Sequence, residues 1–260
     1  MTGTRNCIFC NTSLRGKRSK EHIFPEWLQK YLDIKKQTLH HTIYSTNGEI
    51  KHFRRYTFDG HVSGLICRKC NTGWLSRLEG QSKPILTPLL NGTFMGNIDP
   101  IQCELIARWF YKTTLVLHSV AIQDKFIPDE HYSYLYRENL IPNGIFIAVA
   151  PILEKDGEDL YWIQNGGWPG RVDGKLAETV KEYLKKSYKI TMRAGKLAWR
   201  VTYFHQDGIP SVNFFEYRDD CVKYLYPSSI KGITWLQKTT LDDLVEFDTG
   251  LVYFEKRDYN

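Results

Sequence analysis

Hydrophobic and polar positions alternate along two stretches in the first quarter of the chain. Residues 38–45 and 50–58 show the period of two that is typical of β-strands, with many aromatic and β-branched side chains. The pair Asn47-Gly48 between them favours a tight hairpin turn. The pattern therefore predicts two antiparallel strands joined at residues 46–49.

The predicted hairpin has two different faces, because successive side chains of a strand point to opposite sides. One face carries Lys51, Phe53 and Arg55, and the other carries His52, Arg54 and Tyr56. Such a ribbon could lie along a DNA groove, or it could be an amphipathic hairpin that covers the rest of the N-terminal region. The sequence does not favour one of these interpretations over the other.

Two short helices are predicted on either side of this hairpin. Pro25 suits the first position of a helix, and residues 26–32 continue it with an apolar face. A second helix is predicted from about Asn71 to Leu78. Residues 81–100 are rich in Pro and Gly, which predicts a linker or a loosely packed crossing.

A longer helix is predicted from about residue 101 to 120. Asp99 can cap it, Pro100 suits its first position, and Gln102 can complete a capping box. Bulky apolar residues spread around most of its circumference, which indicates a central and well-covered helix. Arg108 and Lys112 on such a helix would need partners.

Beyond this helix the pattern predicts mixed strands and helices. Extended segments are expected at residues 145–149, 160–163, 189–192, 197–204 and 212–217, and Leu176, Val180 and Leu184 mark an amphipathic helix. The tryptophans of this part are most simply core residues. No motif here predicts a function.

Composition and charge narrow the class of protein. The chain has 260 residues, 42% of them hydrophobic, which fits a folded protein of one large or two modest domains. Residues 1–80 carry 14 Lys/Arg against 6 Asp/Glu, whereas the remainder carries 21 against 23. The excess positive charge of the first part favours nucleic acid as a partner, with a solvated basic surface as the plainer alternative.

A membrane location is not expected from the sequence. The most apolar run, residues 105–122, is interrupted by Arg108, Lys112 and His118, and the N-terminus is too polar for a signal peptide. Free or metal-bound cysteines fit a reducing compartment, so the predicted location is the cytoplasm.

Four of the six cysteines occur in two Cys-x-x-Cys pairs, Cys7/Cys10 and Cys67/Cys70. Two such pairs can fill the four tetrahedral positions of one Zn²⁺, and a closed four-thiolate site is structural rather than catalytic. A zinc ribbon without any chemistry has the same pairs. Two isolated cysteines remain, Cys103 and Cys221, and these are predicted to be small core residues.

A carboxylate and an imidazole stand side by side between the two cysteine pairs, in Glu21-His22-Ile23-x-Pro25. A carboxylate can hold a hard divalent cation, and an imidazole can take a proton from water. Asn71 directly follows the last cysteine, where its amide oxygen could face the same cation. These three residues are therefore the candidate catalytic group.

The ordered combination of these motifs resembles the HNH endonucleases in their zinc-knuckle form, over roughly the first third of the chain. The resemblance implies a ββα unit with one catalytic divalent cation, Mg²⁺ or Mn²⁺. It implies that His22 is the general base and that Glu21 and Asn71 hold the cation. Family members also carry a Trp and a Lys-Thr in the long helix, as Trp109 and Lys112-Thr113 do here, but the resemblance assigns them no role.

The chain departs from the family at one position. Many members have a further Asn a few residues before the second cysteine pair, and residues 59–64 contain none. His61 is the closest candidate for a supporting role. Glu79 lies about two turns beyond Asn71. It could be an outer ligand or a partner for a basic group, but a surface or helix-capping role is predicted for it.

The basic residues of the first part are the candidate contacts to DNA. They lie in the loop before Glu21, on the hairpin and in the second cysteine turn: Arg15, Lys17, Arg18, Lys20, Lys51, Arg54, Arg55, Arg68 and Lys69. The sequence does not distinguish DNA from RNA.

Taken together, the sequence predicts an α+β protein in two parts. Residues 1–84 are predicted to form a small zinc-stapled ββα-metal domain, and residues 85–260 a mixed α+β domain that selects the target, forms a homo-oligomer or regulates. The predicted activity is hydrolysis of DNA phosphodiester bonds. The alternatives are a zinc-dependent nucleic-acid-binding protein without activity and a zinc-stabilised protein-interaction module.

Overall fold

The computed structural model describes residues 5–44, 49–121, 125–153, 159–166, 171–172, 185–205, 212–236 and 239–255. The helices are α1 Glu26–Tyr31, α2 Arg68–Cys70, α3 Ser76–Leu90, α4 Pro100–Ser119, α5 Asp129–Glu138 and α6 Leu244–Thr249. The N-terminal strands are β1 Glu21–His22, β2 Thr38–Tyr44, β3 Ile50–Thr57, β4 Val62–Ser63 and β5 Gly96–Ile98. The remaining strands are β6 Ile145–Pro151, β7 Leu160–Gly166, β8 Arg171–Val172, β9 Tyr188–Ala194, β10 Leu197–Tyr203, β11 Val212–Glu216, β12 Lys223–Tyr226, β13 Ile233–Trp235 and β14 Leu251–Glu255.

A two-stranded antiparallel pair, β1 with β4, lies next to the second cysteine turn. Glu21 pairs with Ser63 and His22 with Val62. The chain then passes through α2 and a single π-helical turn, Asn71–Leu75, into α3. The Glu-His motif is therefore fixed by backbone pairing a few residues before Cys67.

The linker predicted for residues 81–100 is wrong in its first half, because α3 continues to Leu90. Pro84 and Pro88 lie inside this helix. Each proline removes one backbone donor, but Leu86 and Leu89 on the same helix are buried, and α3 packs along α4. Burial of apolar side chains against α4 therefore outweighs the tendency of the two prolines to interrupt the helix.

Helix α4 is central, as predicted from its apolar circumference. Asp99 and Gln102 form the predicted capping box, with the Asp99 Oδ1 accepting from the Gln102 N–H at 2.8 Å. The second half of the helix is almost wholly buried, and Phe110 packs on Trp199 with ring centroids 4.9 Å apart. This helix therefore joins the N-terminal unit to the large sheet behind it.

The large sheet has five antiparallel strands in the order β12-β6-β10-β9-β7. Strands β6, β7, β9, β10 and β11 confirm the extended segments predicted from the sequence, whereas α5, β12, β13 and β14 were not predicted. Helix α6 covers the other face of this sheet. The amphipathic helix predicted around Leu176–Leu184 lies outside the described residues.

The hairpin of β2 and β3 confirms the two predicted strands, and its predicted Asn47-Gly48 turn lies outside the described residues. The strands pair only with each other among the sheets that the structure describes. Leu39 and His41 are buried against the body of the protein, whereas His40, Phe53 and Arg55 are exposed. The hairpin therefore lies on the body as a ribbon with one covered face and one open face.

The mixed α+β class predicted from the sequence is confirmed. One hydrophobic cluster extends from Cys7 and Phe9 to Trp199 and Trp235, so its members come from both predicted parts. The predicted boundary at residues 84/85 falls inside α3, and the division into two domains stays a prediction. No helix in the described ranges is long and apolar enough to cross a membrane.

Candidate metal centre and adjacent histidine site

The two cysteine pairs converge on one point. Cys7, Cys10, Cys67 and Cys70 place their sulfur atoms within 4.8 Å of one another, and the Cys10 and Cys67 sulfurs are 3.6 Å apart. Each pair lies on a tight turn. The first is closed by the Asn11 N–H donating to the Cys7 carbonyl at 2.9 Å, and the second by the Asn71 N–H donating to the Cys67 carbonyl at 3.0 Å.

This donor set fits a tetrahedral metal ion such as zinc. With Zn–S bonds of about 2.3 Å, ideal tetrahedral geometry places neighbouring sulfurs about 3.8 Å apart. The observed separation is close to that value. Backbone N–H groups of Cys67 and Cys70 donate to the sulfurs of Cys7 and Cys67, each at 3.4 Å. Such donors stabilise thiolate charge.

One of the four thiols, Cys7, is also prepared for deprotonation. The hydrogen bond from the Cys70 thiol, together with backbone donors, lowers the pKa of Cys7 to about 4. The same shared hydrogen bond and burial raise the pKa of Cys70. The pair thus holds one proton between two sulfurs, and a cation bound at this point would replace it.

Glu21 lies on the buried side of β1 and is bound to a lysine of the central helix. Lys112, which is 0% exposed, places its Nζ 3.5 Å from Glu21 Oε1 and 2.6 Å from Glu79 Oε1. Glu21 itself is 6% exposed. We call Glu21, Lys112 and Glu79 the buried triad. It connects β1, α4 and α3, and it gives Glu79 a structural partner in place of the predicted surface or capping role.

In the buried triad, burial and the neighbouring charges shift the pKa values of Lys112 and Glu21 in opposite directions. Burial alone would lower the pKa of Lys112, but the carboxylates of Glu79 and Glu21 outweigh it and raise that pKa. Burial raises the pKa of Glu21, and the Lys112 charge opposes this rise. Lys112 therefore stays charged, and its loss would leave carboxylates in the core without a cation.

His22 lies on the other side of β1 and is partly open to solvent. Its side chain is 23% exposed, and its Nε2 is 3.4 Å from Asp59 Oδ1. Glu26 joins these two residues to form a group whose metal-ligating atoms lie within 4.8 Å of one another. We call His22, Asp59 and Glu26 the open cluster. Lys35 approaches both of its carboxylates, at 3.3 Å from Asp59 and 3.9 Å from Glu26.

His61, the candidate for the missing family position, lies in an aromatic cluster. It stacks on Trp162 at 5.7 Å, and its Nε2 is 3.3 Å from the Tyr56 hydroxyl, which also contacts His41 Nδ1 at 3.0 Å. Burial lowers the pKa of His61 to about 3. The imidazole is therefore neutral, and it supports the base of the hairpin.

Asn71 begins the π-helical turn and is half-buried. Within the part of the chain that the structure describes, neither Glu21 nor His61 belongs to a group of three or more converging His, Cys, Asp or Glu ligands. The cation-binding role of Glu21 and Asn71 stays a prediction. The structure gives Glu21 another partner, Lys112.

The predicted DNA contacts are all exposed. Arg15, Lys17, Arg18 and Lys20 form one edge with Arg68 and Lys69, because the Arg68 N–H donates to the Lys17 carbonyl at 2.9 Å. Lys51, Arg54 and Arg55 lie apart from this edge, on the hairpin. The structure thus presents two basic surfaces in the N-terminal part.

Comparison with known proteins adds no assignment. None of the family models, curated proteins or solved structures compared with the chain matches it. The HNH resemblance therefore rests on the motif residues themselves.

Sequence reasoning missed Asp59 and Glu26 beside His22, and it missed Glu21 as a partner of Lys112. For Glu79, a basic partner was only the alternative to the predicted surface or capping role. A lysine on a helix with bulky apolar residues around most of its circumference indicated that a partner exists. Nothing in the sequence indicated that this partner would be Glu21, which is 91 residues away.

Proposed function

We propose that this protein is a metal-dependent endonuclease that hydrolyses DNA phosphodiester bonds with His22 as the general base. The observation that carries the proposal is the setting of His22. It is partly exposed, faces the Asp59 carboxylate at 3.4 Å, and lies on a strand fixed next to the four-cysteine cluster. A base of this kind needs solvent access and an orienting partner, and His22 has both.

The contact with Asp59 assigns different tasks to the two ring nitrogens. With the Nε2 proton directed to Asp59, the Nδ1 lone pair is left to accept a proton from water. The Asp59 charge then stabilises the imidazolium that forms. The water is left as a better nucleophile towards a phosphodiester placed beside β1.

A divalent cation at this site would stabilise the charge that develops on the phosphate and on the leaving oxygen. The motif assigns its ligands as Glu21 and Asn71. The geometry offers a second set, Asp59 and Glu26, whose oxygens already converge beside His22. Glu21 can take part only if its carboxylate is shared with Lys112.

Zinc in the four-cysteine cluster would have a structural task. The cluster links the turn at residues 7–10 to the turn that ends β4 and starts α2. It therefore fixes the strand partner of Glu21-His22. Such thiolates fit a reducing compartment, and the cytoplasm is the location we propose.

The substrate class rests on charge and exposure. Nine exposed Lys and Arg side chains on the two basic surfaces would neutralise backbone phosphates, and binding would weaken as salt rises. Neutralisation of backbone phosphates does not distinguish DNA from RNA, so RNA stays within the proposed substrate class.

The buried triad favours a second candidate, a nucleic-acid-binding protein without activity. Lys112 supplies the positive charge next to Glu21 that a catalytic cation would supply in an active site. In this alternative, zinc and the basic surfaces keep their roles, and His22 has none.

The test is a plasmid-nicking assay with Mg²⁺, with Mn²⁺ and with EDTA. We expect nicking that requires the added cation. Asp59→Asn and Asn71→Ala, each titrated with metal, then identify the ligand set, because loss of a ligand is partly relieved at high metal concentration. Wild-type protein that binds plasmid but nicks neither DNA nor RNA with either metal would favour the second candidate.

A further inference from the structure

The open face of the β2–β3 hairpin has an unusual composition. Phe53 is 44% exposed although it is a large aromatic residue. The Arg55 guanidinium lies over its ring at 5.3 Å, and the edge of His40 contacts it at 5.8 Å. Lys51 is also exposed two residues before Phe53, at the point where the pairing of β2 and β3 shifts register.

Contacts between the covered face of the hairpin and the body of the protein keep the open face towards solvent. His41 and Tyr56 from that face contact Trp162 and His61 of the body, so the hairpin cannot turn over and bury Phe53. Phe53 therefore stays in solvent, and the structure shows an exposed aromatic ring with the Arg55 guanidinium over it.

The positive charge of strands β2 and β3 favours a negatively charged partner. Residues 38–44 and 50–57 contain Lys51, Arg54 and Arg55 and not one Asp or Glu. An aromatic ring in a basic strip is the combination that binds single-stranded nucleic acid, with phosphates on the cations and bases stacked on the ring. A duplex keeps its bases stacked on each other and offers Phe53 no base face.

The open face of the hairpin also lies close in sequence to the proposed active site. Strand β3 ends at Thr57, two residues before Asp59, which contacts His22. Six residues separate Phe53 from Asp59, a distance of about 20 Å or less along an extended chain. A strand bound on the hairpin can therefore reach His22 within a few nucleotides.

We infer that the open face of the hairpin binds an unpaired stretch of nucleic acid, with one base stacked on Phe53 and the adjoining phosphates on Lys51 and Arg55. The inference rests on the proposed function and names its preferred substrate: a strand that is single, or locally opened, next to the point of cleavage.

The test measures binding in EDTA, so that no cleavage occurs, with a single-stranded oligonucleotide and with its duplex. Phe53→Leu should weaken single-strand binding roughly tenfold, the loss of one stacked base, and should change duplex binding much less. Phe53→Trp should restore binding. The control is Tyr217→Leu, which removes an aromatic ring that is 75% exposed in the C-terminal part.

Salt dependence separates the ring from the cations. Arg55→Gln should lower the slope of affinity against salt by about one phosphate contact, whereas Phe53→Leu should leave that slope unchanged. Equal losses on single strand and duplex, or no loss for Phe53→Leu, would overturn the inference, as would a wild-type protein that binds no single strand.

These experiments distinguish failure of this inference from failure of the nuclease proposal. A protein that never nicks but binds single strands through Phe53 would remove the proposed activity and keep this inference. If the wild type nicks plasmid and Phe53→Leu binds single strands as tightly as the wild type, the proposed activity stands and this inference fails.

Discussion

Glu21 and His22 are adjacent on one short strand, and their surroundings differ completely. The Glu21 side faces the core, where Lys112 supplies the opposite charge and is shared with Glu79. The His22 side faces solvent, with Asp59 and Glu26 close by. A pattern of neighbouring acid and base in the sequence therefore does not imply one shared task.

The comparison suggests a division of labour. Buried charges that share a partner hold elements together, but they are poorly placed to meet a substrate. A half-exposed imidazole beside a carboxylate adds little to stability, and it can exchange protons with water. We therefore expect changes on the buried side to affect mainly stability, and changes on the open side to affect mainly activity.

The largest effect is expected from Cys67→Ser. Structural zinc sites bind with an apparent free energy of about 10–16 kcal/mol, which equals or exceeds the whole stability of a typical domain, about 5–15 kcal/mol. The variant should lose its zinc and its cooperative urea transition. Cys103→Ser, a buried cysteine outside the cluster, is the control and should keep both. A well-folded wild type without zinc would contradict the assignment.

The second-largest effect, a loss of stability, is expected from Lys112→Met. It leaves the buried Glu21 carboxylate and the partly exposed Glu79 carboxylate without their cation. Breaking a buried ion pair in this way costs about 3–5 kcal/mol. The measurement is the free energy of unfolding in urea. Adding Glu21→Gln and Glu79→Gln to the same chain should recover part of the loss, because no buried charge then remains. A single variant as stable as the wild type would show that the buried triad holds nothing together.

A smaller, pH-dependent effect is expected at His61. Its pKa of about 3 in the folded protein lies below the value of about 6.5 in the unfolded chain. The unfolded state therefore takes up the proton first as the pH falls. The contribution to stability is full above about pH 6.5 and is lost progressively towards pH 3.

At pH 5 this loss amounts to about 2 kcal/mol for one group. His61→Phe keeps a ring against Trp162 but cannot be protonated, so its stability should fall less between pH 7 and pH 5 than that of the wild type. Urea unfolding at the two pH values measures the difference. Equal falls for the two proteins would show that His61 is not held neutral in the fold.

The parts of the fold that depend on local chemistry were predictable. The Asp99-Gln102 capping box and the two Cys-x-x-Cys turns each lie within a few residues of chain, and the structure has them where the pattern placed them. The helical continuation through Pro84 and Pro88 was not predictable in this way, because burial against α4 decides it.

The candidate site was predictable only in part, for the same reason. The motif located His22 and Glu21, but the fold decides that one faces Asp59 and the other Lys112. Lys112 and Glu79 are 33 residues apart, and Lys112 and Glu21 are 91 apart. Contacts over such separations follow from packing, which no local pattern contains.

The most direct test of this division of labour compares two quantities for one variant, His22→Ala: the initial nicking rate and the free energy of unfolding. General-base catalysis contributes about 10²–10⁴-fold, so the rate should fall by at least that order. The stability should stay within about 0.5 kcal/mol of the wild type, as for most surface substitutions. His205→Ala, a partly exposed histidine just after β10, is the control and should keep the rate. A His22→Ala protein that nicks at the wild-type rate, or that loses its rate only by unfolding, would contradict the account.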